Sequence, residues 1–216
     1  MKQEKKYRVG KKTALDYILL LLLGGLALMT LLPFYQVLLL SFSNVVSYAK
    51  HPMYLLPYVI DLTGYKTIFH DSGFYQSLGV TLFVTIGGTA LNMVLSVCGA
   101  YVLSRKTLIG RKVFLNIILF TMLFNGGMIP TYLIVKDLGL VNHIGSLILP
   151  TAISTYYLII MKNYFLSLPD SLLEAARLDG ANEFVVLSKI ILPISKPFMA
   201  TFVLFYAVER WNEWYN

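Results

Sequence analysis

The sequence is poor in charge and contains a single cysteine, Cys98. Charged residues make up 13% of the 216 positions, about half of the ~25% that is usual in soluble domains. A soluble enzyme with so few charges could not cover its surface, and a disordered chain needs low hydrophobicity and high charge. Both classes are therefore excluded. One cysteine makes neither an intrachain disulfide nor a cysteine metal cluster, and we expect Cys98 to be a small buried residue.

Several chemical motifs are also missing. The sequence has no G-x-x-x-x-G-K-[ST] phosphate-binding loop and no H-E-x-x-H metalloprotease pattern. Its three histidines, His51, His70 and His143, are well separated, which disfavours a shared metal. No long apolar run is rich in the acidic residues that relay protons in carriers. We therefore expect no catalytic residue, metal or cofactor in this chain, so any ATP and Mg²⁺ must be bound by another chain.

Apolar residues, in contrast, make up 57% of the sequence. They form long runs without a charge, and a run of about 18 residues or more is a candidate for a helix that crosses a bilayer. The predicted spans cover about 17–41, 76–104, 113–135, 138–161 and 190–209. The last of them requires that Lys196 reach the membrane surface. These five spans predict an all-α polytopic transmembrane bundle over 17–216, preceded by a basic tail over 1–16.

The basic residues predict an orientation for this bundle. If the spans alternate, 14 of the 18 basic residues lie on one side, in the N-terminal tail and around 104–112 and 162–196. The other side has four, which are Lys50, Lys66, Lys136 and Arg210. Because basic loops stay in the cytoplasm, we predict a cytoplasmic N-terminus. The net charge of +7 is then explained by topology, and nucleic-acid binding is disfavoured.

Polar residues within or near the predicted spans are candidates for a substrate pathway. Asn92 and Asn125 carry amides that are expected to face the interior of the bundle, and Tyr132 lies near the outer end of the third span. Each either hydrogen-bonds a polar substrate or contacts a neighbouring helix. The glycine pairs at 87–88 and 126–127 likewise either allow close helix packing or bend the helices around a pathway.

The segment 167–193, between the last two predicted spans, is expected to form a short helix–turn–helix. Ser167 and Asp170, with a proline between them, are typical of a helix start. Gly180 then ends the first helix, because glycine adopts the left-handed conformation of a helix end. Asp179 is expected to cap a second helix that starts near Asn182. Periodicity alone leaves two interpretations open, an amphipathic helix pair at the membrane surface and an element that docks with a soluble partner.

Helical spacing predicts two side-chain arrangements in this segment. Phe184, Leu187 and Ile191 are expected to share one face of the second helix. Glu174 and Arg177 are three residues apart, and we expect them to form a surface ion pair.

The same segment carries the most specific motif of the sequence. The run EAARLDGANEF begins at Glu174 and contains Gly180, and the run IILP ends at Pro193. This pattern resembles the EAA loop of ABC importer permeases. The run NGGMIPTYL from Asn125, the run LGLVN from Leu138 and the closing WNEW resemble the carbohydrate-uptake branch of that family, the binding-protein-dependent permeases for oligosaccharides and polysaccharides.

The resemblance implies a transporter subunit that is driven by another chain. It implies a type I permease fold in a bacterial cell membrane, with ATP-binding cassette ATPase subunits, a second and different permease chain and an extracytoplasmic solute-binding protein as partners. The loop would insert into a groove of the ATPase. The residues assigned to this contact are Glu174, Ala175, Ala176, Arg177, Asp179, Gly180, Ala181 and Phe184. Such permeases usually have six spans, so we expect the sixth to be missing from this sequence.

A second hypothesis is a polytopic secondary carrier of a small polar solute. Its loop would merely resemble the motif, and it would transport without an ATPase partner. Co-purification of an ATPase subunit distinguishes this carrier from the importer permease.

Overall fold

The computed structural model describes residues 13–44, 48, 59–124 and 126–213. Within these ranges the chain is built from helices, and an isolated β-bridge joins Ser43 to Ile60. Most of the predicted basic tail, Asn125 and Trp214 lie outside the described residues. The chain divides into two compact units, 1–75 and 76–216, which are described one after the other.

The first unit is formed by helix α1 (Ala14–Ser41) and helix α2 (Thr63–His70). At the start of α1, the backbone N–H and the hydroxyl of Thr13 both donate to the Asp16 carboxylate, at 2.7 and 3.0 Å. The side chains of α1 are mostly apolar and exposed on all sides, and Leu39 is the buried one. A helix that is apolar all round is stable inside a protein or in a membrane, so α1 has the character of the predicted first span.

The second unit contains most of helix α3 and all elements that follow it. These elements are α3 (Ser72–Ser104), α4 (Arg111–Leu123), α5 (Met128–Asp137), α6 (Gly145–Ile148), α7 (Thr155–Ser167), α8 (Asp170–Leu178), α9 (Glu183–Val185), a π-helical segment (Val186–Ile191), α10 (Leu192–Ile194) and α11 (Lys196–Asn212). Between 183–194 and α11 the chain bends by 88°.

The hydrophobic core of the second unit joins its long helices to the segment 167–193. α3 contributes Tyr101, α7 contributes Met161 and α11 contributes Tyr206, all of them at most 4% exposed. Ala176 of α8 and Ile191 of the π-helical segment belong to the same cluster. The segment 167–193 is therefore packed into the core of the unit along its inner face.

The structure identifies between two and four candidate spans among the described residues. α1 and α3 are each long and apolar enough to cross a membrane. Two bent pairs pass the same test only if each pair is counted as one span, α4 with α5 and 183–194 with α11. The predicted number of five spans is thus not confirmed. Gly127, the residue directly before α5, has a φ of +84°, which glycine adopts readily and other residues rarely do.

The stretch 138–161, predicted as one span, is not a continuous helix. Turns occupy its first residues, α6 has four residues, and α7 begins only at Thr155 and extends to Ser167, past the predicted end. Pro150 lies between α6 and α7. A proline lacks an N–H and disfavours the helical conformation of the residue before it, which explains why the apolar run is divided here.

Cys98 is exposed, so the prediction that it is buried was wrong. Around it, the buried positions of α3 are Ser96, Val97, Ala100 and Tyr101. They follow the spacing of one helix face, and Cys98 lies on the opposite side of the helix.

Candidate functional site

The segment 167–193 folds as a helix–turn–helix, and Gly180 forms its turn, as predicted. Gly180 has a φ of +78°. The N–H of Ala181 donates to the carbonyl of Ala176 at 3.0 Å, and the N–H of Gly180 donates to the carbonyl of Arg177 at 3.0 Å. These two bonds form a Schellman motif. Because its left-handed residue is strained unless it is glycine, Gly180 determines where α8 ends and where the chain reverses.

The residues that cap the two helices differ from those predicted. Pro169, not Ser167, occupies the N-cap position of α8, and the Ser167 hydroxyl instead donates to a carbonyl of α7 at 2.7 Å. Asn182, not Asp179, caps the second helix, since its Oδ1 accepts a hydrogen bond from the N–H of Val185 at 2.9 Å. An N-cap side chain reaches the N–H groups two or three residues ahead, which Asn182 does and Asp179 does not.

The loop has an inner face and an exposed tip. Leu178 is 89% exposed and Phe184 is 76% exposed, on either side of Gly180; we call these three residues the loop tip. Among the residues assigned to the ATPase contact, Ala176 is buried in the core and Ala181 is partly buried. Those that are exposed are Glu174, Ala175, Arg177, Asp179, Gly180 and Phe184. The sequence prediction did not include Leu178 among the contact residues. Its position directly before the turn residues Asp179 and Gly180 could have indicated that its side chain lies at the tip.

Phe184 does not share a face with Leu187 and Ile191, contrary to the prediction. Leu187 is 8% exposed and Ile191 is 1% exposed, whereas Phe184 faces away from the core. The π-helical segment Val186–Ile191 begins two residues after Phe184. Its wider turn changes the register relative to the α-helical spacing on which the prediction depended.

Polar contacts fasten the loop to the end of α3. The Tyr101 hydroxyl donates to Glu183 Oε2 at 2.5 Å, and Arg177 donates to Glu183 Oε1 at 2.7 Å. The guanidinium of Arg105 lies 3.9 Å from the centroid of the Tyr101 ring. The ionic partner of Arg177 is therefore Glu183 rather than the predicted Glu174. The hydrogen bond to Glu183 and the charge of that carboxylate raise the pKa of Arg177 above its ordinary value.

Of the predicted pathway residues, the structure describes Asn92 and Tyr132. Asn92 is 2% exposed, and its Oδ1 accepts a hydrogen bond from Arg210 Nη2 at 3.0 Å. Tyr132 lies on α5 and is 54% exposed. Asn125 is outside the described residues.

Arg210 was counted with the charges of the outer side, but the structure buries it at 3% exposure. A buried charge is tolerated when it is fully paired. The groups that accept hydrogen bonds from its Nη atoms are the side chains of Asn92, Thr151 and Glu213 and the carbonyls of Leu147, Ile148 and Thr151. The carbonyls of Leu147 and Ile148 come from the end of α6, and that of Thr151 comes from the break that follows it. In the sequence, Arg210 is a single cation close to the end of the apolar run 190–209. This position could have indicated a buried, paired charge, but the sequence analysis used it only to predict the orientation of the spans.

A cavity of about 210 Å³ lies beside this guanidinium. Asn92, Thr151, Ser154 and Glu209 line it together with Arg210. Amide, hydroxyl and carboxylate groups thus meet in a unit that is otherwise largely apolar. Asn92 lines this cavity and Tyr132 does not.

Comparison with known proteins agrees with this architecture. Residues 97–214, just over half of the chain, match the family model described as "Binding-protein-dependent transport system inner membrane component". Protein LplC of Bacillus subtilis (strain 168) is 43% identical over 201 residues, which are 93% of this chain and 68% of that protein. The polygalacturonan/rhamnogalacturonan transport system permease protein YtcP of the same strain is 48% identical over 186 residues, which are 86% of this chain and 65% of that protein.

A solved structure shares the fold. One chain in the crystal structure of a bacterial ABC transporter involved in the import of the acidic polysaccharide alginate superposes with a TM-score of 0.89 and 38% identity, covering 94% of this chain and 74% of that chain. This chain spans about two thirds of the length of the two curated relatives. The resemblance inferred from the EAA loop is confirmed. The chain belongs to the inner membrane components of binding-protein-dependent transport systems, the non-catalytic permeases of ABC importers.

Proposed function

We propose that this chain is the permease subunit through which an ABC importer translocates a sugar or oligosaccharide that an extracytoplasmic binding protein delivers. One relative is named for polygalacturonan and rhamnogalacturonan transport, and the similar structure is of an alginate importer. The polar cavity beside Arg210 supports a polar cargo, because its hydroxyl, amide and carboxylate groups match the donors and acceptors of sugar hydroxyls. Asn92 is the pathway residue that this cavity supports; Asn125 and Tyr132 stay predictions.

The loop tip carries the proposed coupling to the ATPase. Leu178 and Phe184 expose large apolar side chains beside Gly180, and a docked partner would remove this apolar surface from water. The exposed polar residues Glu174 and Asp179 would form the rim of the contact. The inner face of the loop is part of the core, so a partner that binds the tip is joined to the helices through the loop. ATP and Mg²⁺ would be bound by the ATPase subunits, and a second, different permease chain would complete the pathway.

The proposed topology has the N-terminus and the segments around 104–112 and 162–196 in the cytoplasm. The distribution of basic residues supports it. In a Cys98→Ser background, Thr13→Cys is expected to react with a membrane-impermeant maleimide from the cytoplasmic side only, and Lys136→Cys from the outer side only. Labelling of Thr13→Cys from outside would reject this topology.

The importer function is tested by purifying the chain from its native membrane in mild detergent. We expect ATPase subunits and a second permease to be recovered with it. We also expect the reconstituted complex, supplied with binding protein, to accumulate labelled oligogalacturonides only with MgATP. Accumulation driven by an ion gradient, with no ATPase in the preparation, would instead establish the secondary carrier.

A further inference from the structure

The end of α3 and the helix–turn–helix segment 167–193 meet at one carboxylate, that of Glu183. The Tyr101 hydroxyl donates to Glu183 Oε2 at 2.5 Å. A hydrogen bond to an ionised acceptor is shorter and about twice as strong as a bond between neutral groups. Tyr101 is 4% exposed, so water does not readily compete for its side of this bond.

The ring of Tyr101 is held in place by its neighbours within the second unit. The Phe165 ring meets it edge-on, with 6.4 Å between the centroids. On another side the Arg105 guanidinium lies 3.9 Å from its centroid. The ring therefore does not swing freely, and the position of the hydroxyl is set by the last turns of α3.

On the loop side, Glu183 is held from across the turn. It is the first residue of α9, directly after the cap residue Asn182, and its second oxygen accepts from Arg177 of α8 at 2.7 Å. One carboxylate thus connects α3, α8 and α9. The loop and α3 also share apolar packing, but apolar attraction is non-directional and permits sliding, whereas this bond fixes the register.

We infer that Glu183 is a positioning residue that transmits movement of the loop tip to α3, with Tyr101 receiving that movement. The inference rests on the proposed function, in which the tip docks with the ATPase. A second polar contact between these regions, Lys106 to Asp170 at 3.0 Å, has side chains 67% and 64% exposed. Solvent weakens such a pair, so it offers a matched control for loss of a polar contact.

The test measures whether α3 and the loop move as one body in the assembled transporter. One spin label is placed on the native Cys98, which is exposed on α3, and the other on Ser171→Cys, exposed on α8. The partner subunits are prepared as cysteine-free variants. Double electron–electron resonance then compares the nucleotide-free complex with the complex trapped by MgATP and vanadate.

We expect the otherwise unaltered chain and Lys106→Gln to keep one narrow distance in both states. In Tyr101→Phe and in Glu183→Gln, trapping is expected to add a second distance, because the loop moves without α3. The double variant should add no more than either single change. If Tyr101→Phe does not assemble, Glu183→Gln, which alters a half-exposed side chain, carries the same test.

A single narrow distance in both variants after trapping would overturn the inference, and so would a second distance in the unaltered chain. Recovery of ATPase subunits is measured on the same preparations. Their absence from the unaltered chain rejects the proposed function, whereas their presence with unchanged distances rejects only the role of Glu183.

Discussion

Replacing Gly180 by valine tests the coupling role of the loop most directly. Gly180 has a φ of +78°, a conformation that costs an L-residue roughly 1–2 kcal/mol. Apart from its two chain neighbours, no residue in the described part of the chain has an atom within 4 Å of a Cβ built on Gly180. The penalty therefore comes from the backbone alone and not from a clash. A change of one to two kcal/mol lowers a population by about 5- to 30-fold, so the turn that sets the angle between α8 and α9 would be depleted to that extent.

The assay compares uptake per ATP hydrolysed in reconstituted complexes of matched variants. Gly180→Val is expected to hydrolyse ATP with little uptake. Gly180→Asn is expected to retain more uptake, because asparagine visits the left-handed region more easily than other non-glycine residues. Gly139 provides the control, since it also has a positive φ, of +69°, and no described residue other than its chain neighbours lies within 4 Å of a Cβ built there. Gly139→Val introduces the same backbone strain outside the loop.

Two results would refute this reasoning. If Gly180→Val transports as many sugar molecules per ATP as the unaltered chain, the turn does not transmit force. If Gly139→Val loses uptake per ATP to the same degree, the loss reports general strain and not coupling.

Three further predictions concern the buried charge and the tip. Arg210→Met should lower the free energy of unfolding by about 3–5 kcal/mol because its buried partners lose their donor; unchanged thermal unfolding in detergent would contradict this. Gly88→Val should lower the free energy of unfolding by about 1–3 kcal/mol through overpacking, because a Cβ at Gly88 would lie 3.0 Å from Arg210 Nε. At Gly87 no described residue crowds a Cβ, so equal losses of stability in Gly88→Val and Gly87→Val would refute the contact. Leu178→Ser and Phe184→Ser should reduce the amount of ATPase that is recovered with the chain. The thermal unfolding of the chain should stay the same, because both side chains are exposed; a loss of stability in parallel would assign Leu178 and Phe184 to the core.

The parts of the fold that could be predicted are those whose signals are local. α1 and α3 follow from uncharged runs of 25 and 33 residues, Tyr17–Ser41 and Ser72–Ser104, because no other element satisfies so long an apolar backbone in a membrane. The turn at Gly180 follows from the Asp-Gly pair. Its cap could not be chosen with equal certainty, since Asp179 and Asn182 are both good N-cap residues and only the exact start of α9 decides between them.

Residue spacing alone could not predict which side chains share the buried face of the second helix of the segment 167–193. An α-helical period brings Phe184 together with Leu187 and Ile191. The π-helical segment Val186–Ile191 shifts that period, and it forms where four buried residues, Val186, Leu187, Ile191 and Ala176, fit one core. Because this fit involves side chains from other helices, the sequence of the segment alone does not reveal it.

The buried Arg210 and the break in the stretch 138–161 satisfy each other's hydrogen-bonding groups. A helix that ends inside an apolar unit leaves carbonyls without partners, and a guanidinium in such a place needs acceptors for its donors. The carbonyls of Leu147 and Ile148, at the end of α6, accept from Arg210, as does that of Thr151. Counting charges places Arg210 outside, and counting apolar residues makes 138–161 a span. Neither count reveals that Arg210 is buried or that the run is divided, because the groups that meet here are separated by 59 to 63 residues in the sequence.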